Sequence, residues 1–226
     1  GGDFGYFLDF VGSGTKKIAY AASIGYRTFP PKYESKCIEY LKGFESISVR
    51  EKSACKTVAE SADKDVENVL DPTLLLSDLR WLDIAKKPRN LPYRYILVYM
   101  MEGCKYTIEK ARALARDKEC DLVLINPTLR QRQTCKDFVM YKAASPEEFV
   151  GMFAQADAVV TNSFHGVAFS IIFKKEFYAE TSNAEKSARI IDLLALFELS
   201  DRLLPNEING KPNWEKVNSQ LIKEKN

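Results

Sequence analysis

The chain holds a single histidine, His165, and it stands in a run able to do chemistry: Asn162-Ser163-Phe164-His165-Gly166. Histidine gives and takes protons near neutral pH. Before the run comes Ala158 to Thr161, a short apolar stretch that reads as a buried strand. After it comes Val167 to Phe173, apolar almost all round, which reads as a buried helix. In an open α/β sheet, ligands bind where the carboxyl end of a strand turns into a helix. A helix N-terminus there presents unpaired N–H groups and positive dipole, which suits an anion. The competing reading of His165 is a structural imidazole held by hydrogen bonds.

The carboxyl ends of the other expected strands collect further polar groups: Ser23 and Gly25, Arg50 and Glu51, Asp71 and Thr73, Glu102 and Gly103, and Asn126. Arg50 follows a buried Ile-Ser-Val strand, and a guanidinium can grip phosphate or carboxylate through two parallel bonds. Its alternative is an ion pair with Glu51 or another carboxylate. Asp71 precedes a proline and can serve as a cap or turn through its own side chain. Arg189, near a helix start, either reaches the cleft or is solvated. Lys174-Lys175 ends the buried helix and complements its dipole.

The elements that position these residues alternate along the chain. Strands are expected at Lys17 to Ser23, Ser46 to Val49, Glu67 to Leu70, Tyr95 to Met100, Leu122 to Ile125, Phe138 to Tyr141, 158–161 and Glu176 to Ala179. Helices are expected between them, and Ser145-Pro-Glu-Glu148 is a capping box with proline at the first helical position. The polar, basic stretch Pro127 to Lys136 reads as a solvated loop. In the helix from Ser77 to Ala85, Leu79, Trp81 and Leu82 are expected to be partly buried. Lys86-Lys-Pro-Arg-Asn-Leu-Pro92 reads as a linker. Alternation in two blocks predicts an α/β protein with parallel sheets covered on both faces, built as two Rossmann-like halves facing across a cleft. Residues 1–90 form the first and 91–226 the second.

Composition excludes several classes. The 226 residues are 46% hydrophobic and 28% charged, with a net charge of +2. That is globular, with no footprint for nucleic acid or an anionic membrane. The five cysteines (37, 55, 104, 120 and 135) are scattered and make no C-x-x-C pair, which with one histidine argues against a zinc site. Dispersed thiols, no spanning apolar run and no signal-peptide pattern predict a cytoplasmic protein. Neither dinucleotide-binding glycines, a phosphate loop nor a G-x-S-x-G elbow occurs.

Taken in order, several words resemble the polysaccharide pyruvyl transferase family: Lys16-Lys-Ile-Ala-Tyr-Ala-Ala-Ser-Ile-Gly25, Ser46-Ile-Ser-Val-Arg-Glu51, Val69-Leu-Asp-Pro-Thr-Leu-Leu-Leu76, Ser145-Pro-Glu-Glu-Phe149, Thr161-Asn-Ser-Phe-His-Gly-Val-Ala-Phe-Ser170 and Ala188-Arg-Ile with Leu193-Leu194. They span nearly all of residues 5–202, and Ser-Phe-His-Gly is the most diagnostic. The resemblance implies a fold similar to B-type glycosyltransferases. It implies transfer of an enolpyruvyl-derived group from phosphoenolpyruvate onto two hydroxyls of a sugar in a cell-surface glycan precursor, releasing phosphate, as in exopolysaccharide biosynthesis. No metal or organic cofactor is implied.

On the same resemblance, His165 sits at the donor site as acid/base or as a phosphate partner. Arg50 binds the donor's phosphate or carboxylate. Asn162, Ser163, Phe164, Gly166, Ser23, Asp71 and Arg189 complete the expected substrate-binding set. A nucleotide-sugar glycosyltransferase and a non-catalytic anion-binding fragment are the alternative functions. Some members carry Arg-Leu-His where this chain has Ser163-Phe164-His165; one cationic donor ligand is then missing, or supplied by Arg189 or Lys175. Members also begin with a further stretch ahead of the segment matching Gly5 to Phe10. The first half is therefore expected to be incomplete, with about three strands, and an exposed sheet edge there favours a homodimer.

Overall fold

The computed structural model describes residues 4–12, 14–25, 28–101, 105–181, 188–205 and 210–225. Glu102, Gly103 and Cys104 lie outside the described residues, as do residues 182–187. The chain divides into two compact units, one of Gly1–Pro72 with Asn183–Leu193, the other of Thr73–Ser182 with Leu194–Asn226.

The first unit opens on a short 3-10 turn, Gly5–Phe7, and continues through β1 (Ile18–Ala22), α1 (Glu34–Lys42), β2 (Ser46–Val49), α2 (Lys52–Ala62) and β3 (Val66–Asn68). The three strands pair in parallel in the order β1-β2-β3. Ala54, Val58 and Ala62, spaced by four, put one face of α2 into the core beside Val49. The β1 ladder is irregular between Ala19 and Ala22, where Ala21 takes a φ of 51°. Ser48 fills the gap: the Ala21 N–H donates to Ser48 Oγ at 3.0 Å. Such a bulge re-aims the residues that follow, here Ser23. β1 is an edge strand, with Ile18 and Tyr20 exposed.

Two short helices come next, α3 (Pro72–Leu75), whose first residue is the last of this stretch of the first unit, and α4 (Asp78–Leu82) in the second. Pro72 opens α3, since its missing N–H costs nothing in a first helical turn. Trp81 packs edge-on against Phe169 at 5.0 Å and donates to the Thr73 carbonyl at 3.0 Å. Leu79 and Leu82 are exposed, against expectation, because α4 is too short to turn more than one face inward. The expected linker is docked: the Lys86 N–H donates to the Glu147 carbonyl and Leu91 is buried. The observed division falls between Pro72 and Thr73 instead of near residue 90, because 73–92 packs on the second unit.

β4 (Tyr95–Tyr99), α5 (Lys105–Lys118), β5 (Asp121–Ile125), α6 (Leu129–Thr134), β6 (Val139–Tyr141), α7 (Pro146–Gln155), β7 (Ala158–Thr161), α8 (Phe164–Ile172) and β8 (Glu176–Ala179) follow. α9 (Ala188–Leu196) and α10 (Trp214–Lys225) complete the chain. All five strands are parallel in the order β6-β5-β4-β7-β8. Ile96 to Val98 and Ala158 to Val160 are fully buried, as continuous apolar strands covered on both faces should be. The chain leaves β4 in one direction for β5 and β6 and in the other for β7 and β8, so the topological switch point lies between β4 and β7. α6 replaces the expected loop. Its signal was present in the sequence as a second capping box, in which Thr128 and Gln131 bond reciprocally.

Candidate functional site

The switch point of the five-stranded sheet is where an open α/β sheet binds ligands, and the Asn162–Gly166 turn stands there. Asn162 spans it: its Oδ1 accepts from the Met101 N–H at 2.7 Å, just beyond β4. Thr161, the last residue of β7, is fully buried and donates through Oγ1 to the Tyr99 carbonyl at 2.7 Å. The same oxygen accepts from the Ser163 N–H at 3.0 Å. Ser163 is buried at the N-cap of α8 and makes no side-chain cap bond. Phe164 is buried, whereas His165, the second residue of α8, is exposed, with the two rings edge-on at 5.4 Å. α8 therefore presents its imidazole from the first turn of a helix whose other residues are almost all buried.

Gly166 is required here. A Cβ on it would lie 2.2 Å from Thr161 Oγ1, so only glycine lets the helix start this close to the strand. Lys175, considered as a substitute cation, stands beyond the opposite end of this nine-residue helix, about 13 Å along its axis. It precedes β8, at the amino edge of the sheet, and cannot serve the turn after β7. Burial draws its ammonium below the usual lysine range.

The other expected residues gather at the carboxyl edge of the three-stranded sheet. The Arg50 N–H donates to the Ala22 carbonyl at 3.1 Å, which sets Arg50 and Ser23 side by side on neighbouring strand ends. Gly25, with φ of +67°, turns the chain away. Arg50 pairs through Nη1 with Asp71 Oδ2, and Asp71 is almost wholly buried. Arg50 thus pairs with Asp71, and its charge also acts on the adjacent Glu51. Ser23 Oγ donates to Glu51 Oε1. Asp192 of α9 caps α2, accepting from the Ser53 N–H at 2.8 Å. Arg189, half-buried on the same helix, acts on Glu51 electrostatically.

Glu51 is the residue that reading the sequence undervalued. It is 1% exposed, and its Oε2 has no hydrogen-bond partner among the described residues. Burial pushes its carboxyl above the usual range, against the opposing effects of the Ser23 bond, Arg50, its own backbone amide and Arg189. No pattern in Ser-Val-Arg-Glu distinguishes a buried glutamate from a solvated one at a strand end. Among the described residues, no three His, Cys, Asp or Glu side chains gather to hold a metal, and no helix is long and apolar enough to cross a membrane. Cys37, Cys55, Cys120 and Cys135 are free thiols.

The family model for polysaccharide pyruvyl transferase matches residues 1–182. No curated protein matches the chain in sequence. Among solved structures, UDP-GlcNAc 2-epimerase from Methanocaldococcus jannaschii is 14% identical with a TM-score of 0.49, over 83% of this chain and 57% of its own. An O-GlcNAc transferase mutant from Thermobaculum terrenum is 9% identical with a TM-score of 0.41, over 81% and 38%. A wall teichoic acid polymerase is 11% identical with a TM-score of 0.45, over 93% and 60%. The chain spans about half the length of the solved structures it matches.

Proposed function

The chain belongs to the polysaccharide pyruvyl transferase family, and from that membership we propose that it transfers pyruvate as a ketal from phosphoenolpyruvate to two hydroxyls of a glycan-precursor sugar. The family match over residues 1–182 is the observation that carries this reading. The chemistry asks for a proton at the enol carbon, bases for the sugar hydroxyls and cations around a trianionic donor. His165 is the imidazole available, exposed at the switch point on the first turn of α8. Its role is to hold or move a proton at the donor. Arg50, steadied by Asp71, and Arg189 are the cations assigned to the donor's anionic groups.

Asn162 and Ser163 hold the turn in shape, and Gly166 brings it close to β7. The donor is already activated as an enol phosphate, so the reaction as proposed runs without metal or organic cofactor. The test is incubation with phosphoenolpyruvate and candidate glycans, following phosphate release and the ketal methyl signal by NMR. Phosphate and ketal are expected in equal amounts, unchanged by a chelator. Absence of ketal with every acceptor, in a protein shown to be folded, would overturn the reading.

A further inference from the structure

Glu51 and Ser23 form an arrangement that the proposed roles above leave unused. The serine hydroxyl donates into the carboxylate, so its remaining acceptor capacity faces away from Glu51. Ser23 is half-buried and lines a cavity of about 400 Å³ in the first unit. Glu51 does not line that cavity; it stands behind Ser23, shut from solvent. One oxygen of the buried carboxylate is bonded, and the other has no partner among the described residues. We propose that Glu51 is the base for an acceptor-sugar hydroxyl and acts through Ser23, a positioning residue that relays the proton. This rests on the pyruvyl transfer reading and names a base for it.

The step balances. As the hydroxyl oxygen bonds to C2 of the enolpyruvyl group, its proton passes to Ser23 Oγ, and the Ser23 proton passes to Glu51 Oε1. The C2–C3 π pair takes a proton at C3 from a separate acid. A second sugar hydroxyl then displaces phosphate, which leaves with the electron pair of its bond to C2. That hydroxyl's proton reloads the acid, and Glu51 returns its own through Ser23 to the phosphate.

The groups around Glu51 suit a base. Arg50 immediately precedes it, just beyond β2, and Arg189 comes from α9. Asp192 of α9 is held at the Ser53 N–H, and Cys55 Sγ lies 4.0 Å from the Glu51 carbonyl, on α2. The two cations and the Ser23 bond favour the charged form, yet desolvation outweighs them. A carboxylate so placed binds a proton more avidly than one in water.

The test combines kinetics with carboxyl 13C NMR of the full chain, the Glu51 signal being assigned by its loss in Glu51→Gln. The glutamine keeps an acceptor for Ser23 and loses the base. Its kcat should fall about a hundredfold or more, with donor KM changed less than about threefold. The acidic limb of the wild-type pH profile should vanish. Ser23→Ala should fall comparably, and Ser23→Thr, which keeps a hydroxyl, should recover most of the rate. Wild-type transfer with an unimpaired Glu51→Gln variant would overturn the relay and leave the pyruvyl transfer reading standing. If the wild type transfers no pyruvate, that reading falls and the NMR arm decides the pair. Glu51 titrating above the usual range, and higher still in Ser23→Ala, upholds a proton-accepting pair; ordinary titration indifferent to Ser23 overturns it.

Discussion

The two strand-end clusters are built on opposite principles. At the edge of the three-stranded sheet, charge is held inside: Asp71 and Glu51 are buried, Arg50 is mostly so, and each carboxylate has a side-chain partner. At the turn after β7, the buried work is done by neutral groups, namely the Thr161 hydroxyl, the Asn162 amide and backbone N–H groups. The titratable His165 is pushed out to solvent. The first cluster spends stability on pre-set charge, whereas the second presents a proton-transfer group at almost no cost to the fold. Charge removal should therefore damage the first cluster and added volume the second.

Asp71→Ala should have the largest effect. It removes the carboxylate that pairs with the Arg50 guanidinium, whose side chain is 15% exposed, and breaking a pair buried in this way costs about 3 kcal/mol or more. Urea unfolding of the wild type and the variant measures it. Replacing both partners together by Met and Leu should recover most of the loss, since the penalty lies in the unpaired charge. A loss below about 1 kcal/mol in the single variant would mean the first edge is solvated after all.

His165→Ala comes next and separates activity from stability. Removing an acid/base group should lower kcat by about a hundredfold or more. Because the ring is exposed, unfolding free energy should stay within about 0.5 kcal/mol of the wild type. An equal loss of both would show that His165 is part of the packing.

Gly166→Ala should cost about 1–3 kcal/mol, because the new methyl meets Thr161 Oγ1, Cβ and Cγ2, all within 3 Å. The imidazole would move with the helix start, so kcat should drop too. Unaltered thermal stability would show that the turn has slack, and the contrast with the first edge would weaken.

How much of this the residues disclose depends on the kind of interaction. Apolar runs and caps are local, so the β7–α8 unit, the Ser145 box and the alternation of strands and helices are legible before any coordinates. The Thr128–Gln131 box that starts α6 is equally local, and its basic composition obscured it. Pairings between strands are not local. Arg50 with Asp71 joins residues 21 apart, and Ser23 with Glu51 joins residues 28 apart. Only the β1-β2-β3 register brings them together. The same holds for the unit boundary, since 86–92 looks like a linker by composition and is held by tertiary contacts such as the Lys86 N–H on the Glu147 carbonyl and the burial of Leu91. Burial of Glu51 is a property of what covers it, and no spacing within β2 or α2 encodes that.

The smallest effect is also the most specific to the contrast. Glu51 has its carboxyl raised by burial, so the native state holds a proton that the unfolded chain gives up more readily. The stability from that proton is whole below the ordinary glutamate range and is lost as pH rises through the raised native value. Above it, the fold carries the cost of a buried charge. Glutamine at position 51 has the same shape and still accepts from Ser23, but it never ionises. Glu51→Gln should therefore melt higher than the wild type near neutral pH, and the gap should close on acidification to about pH 4. A Glu51→Gln protein that melts lower at neutral pH would mean that Ser23, Arg50 and Arg189 fully compensate the charge, and that the first edge holds no stored cost to distinguish it from the second.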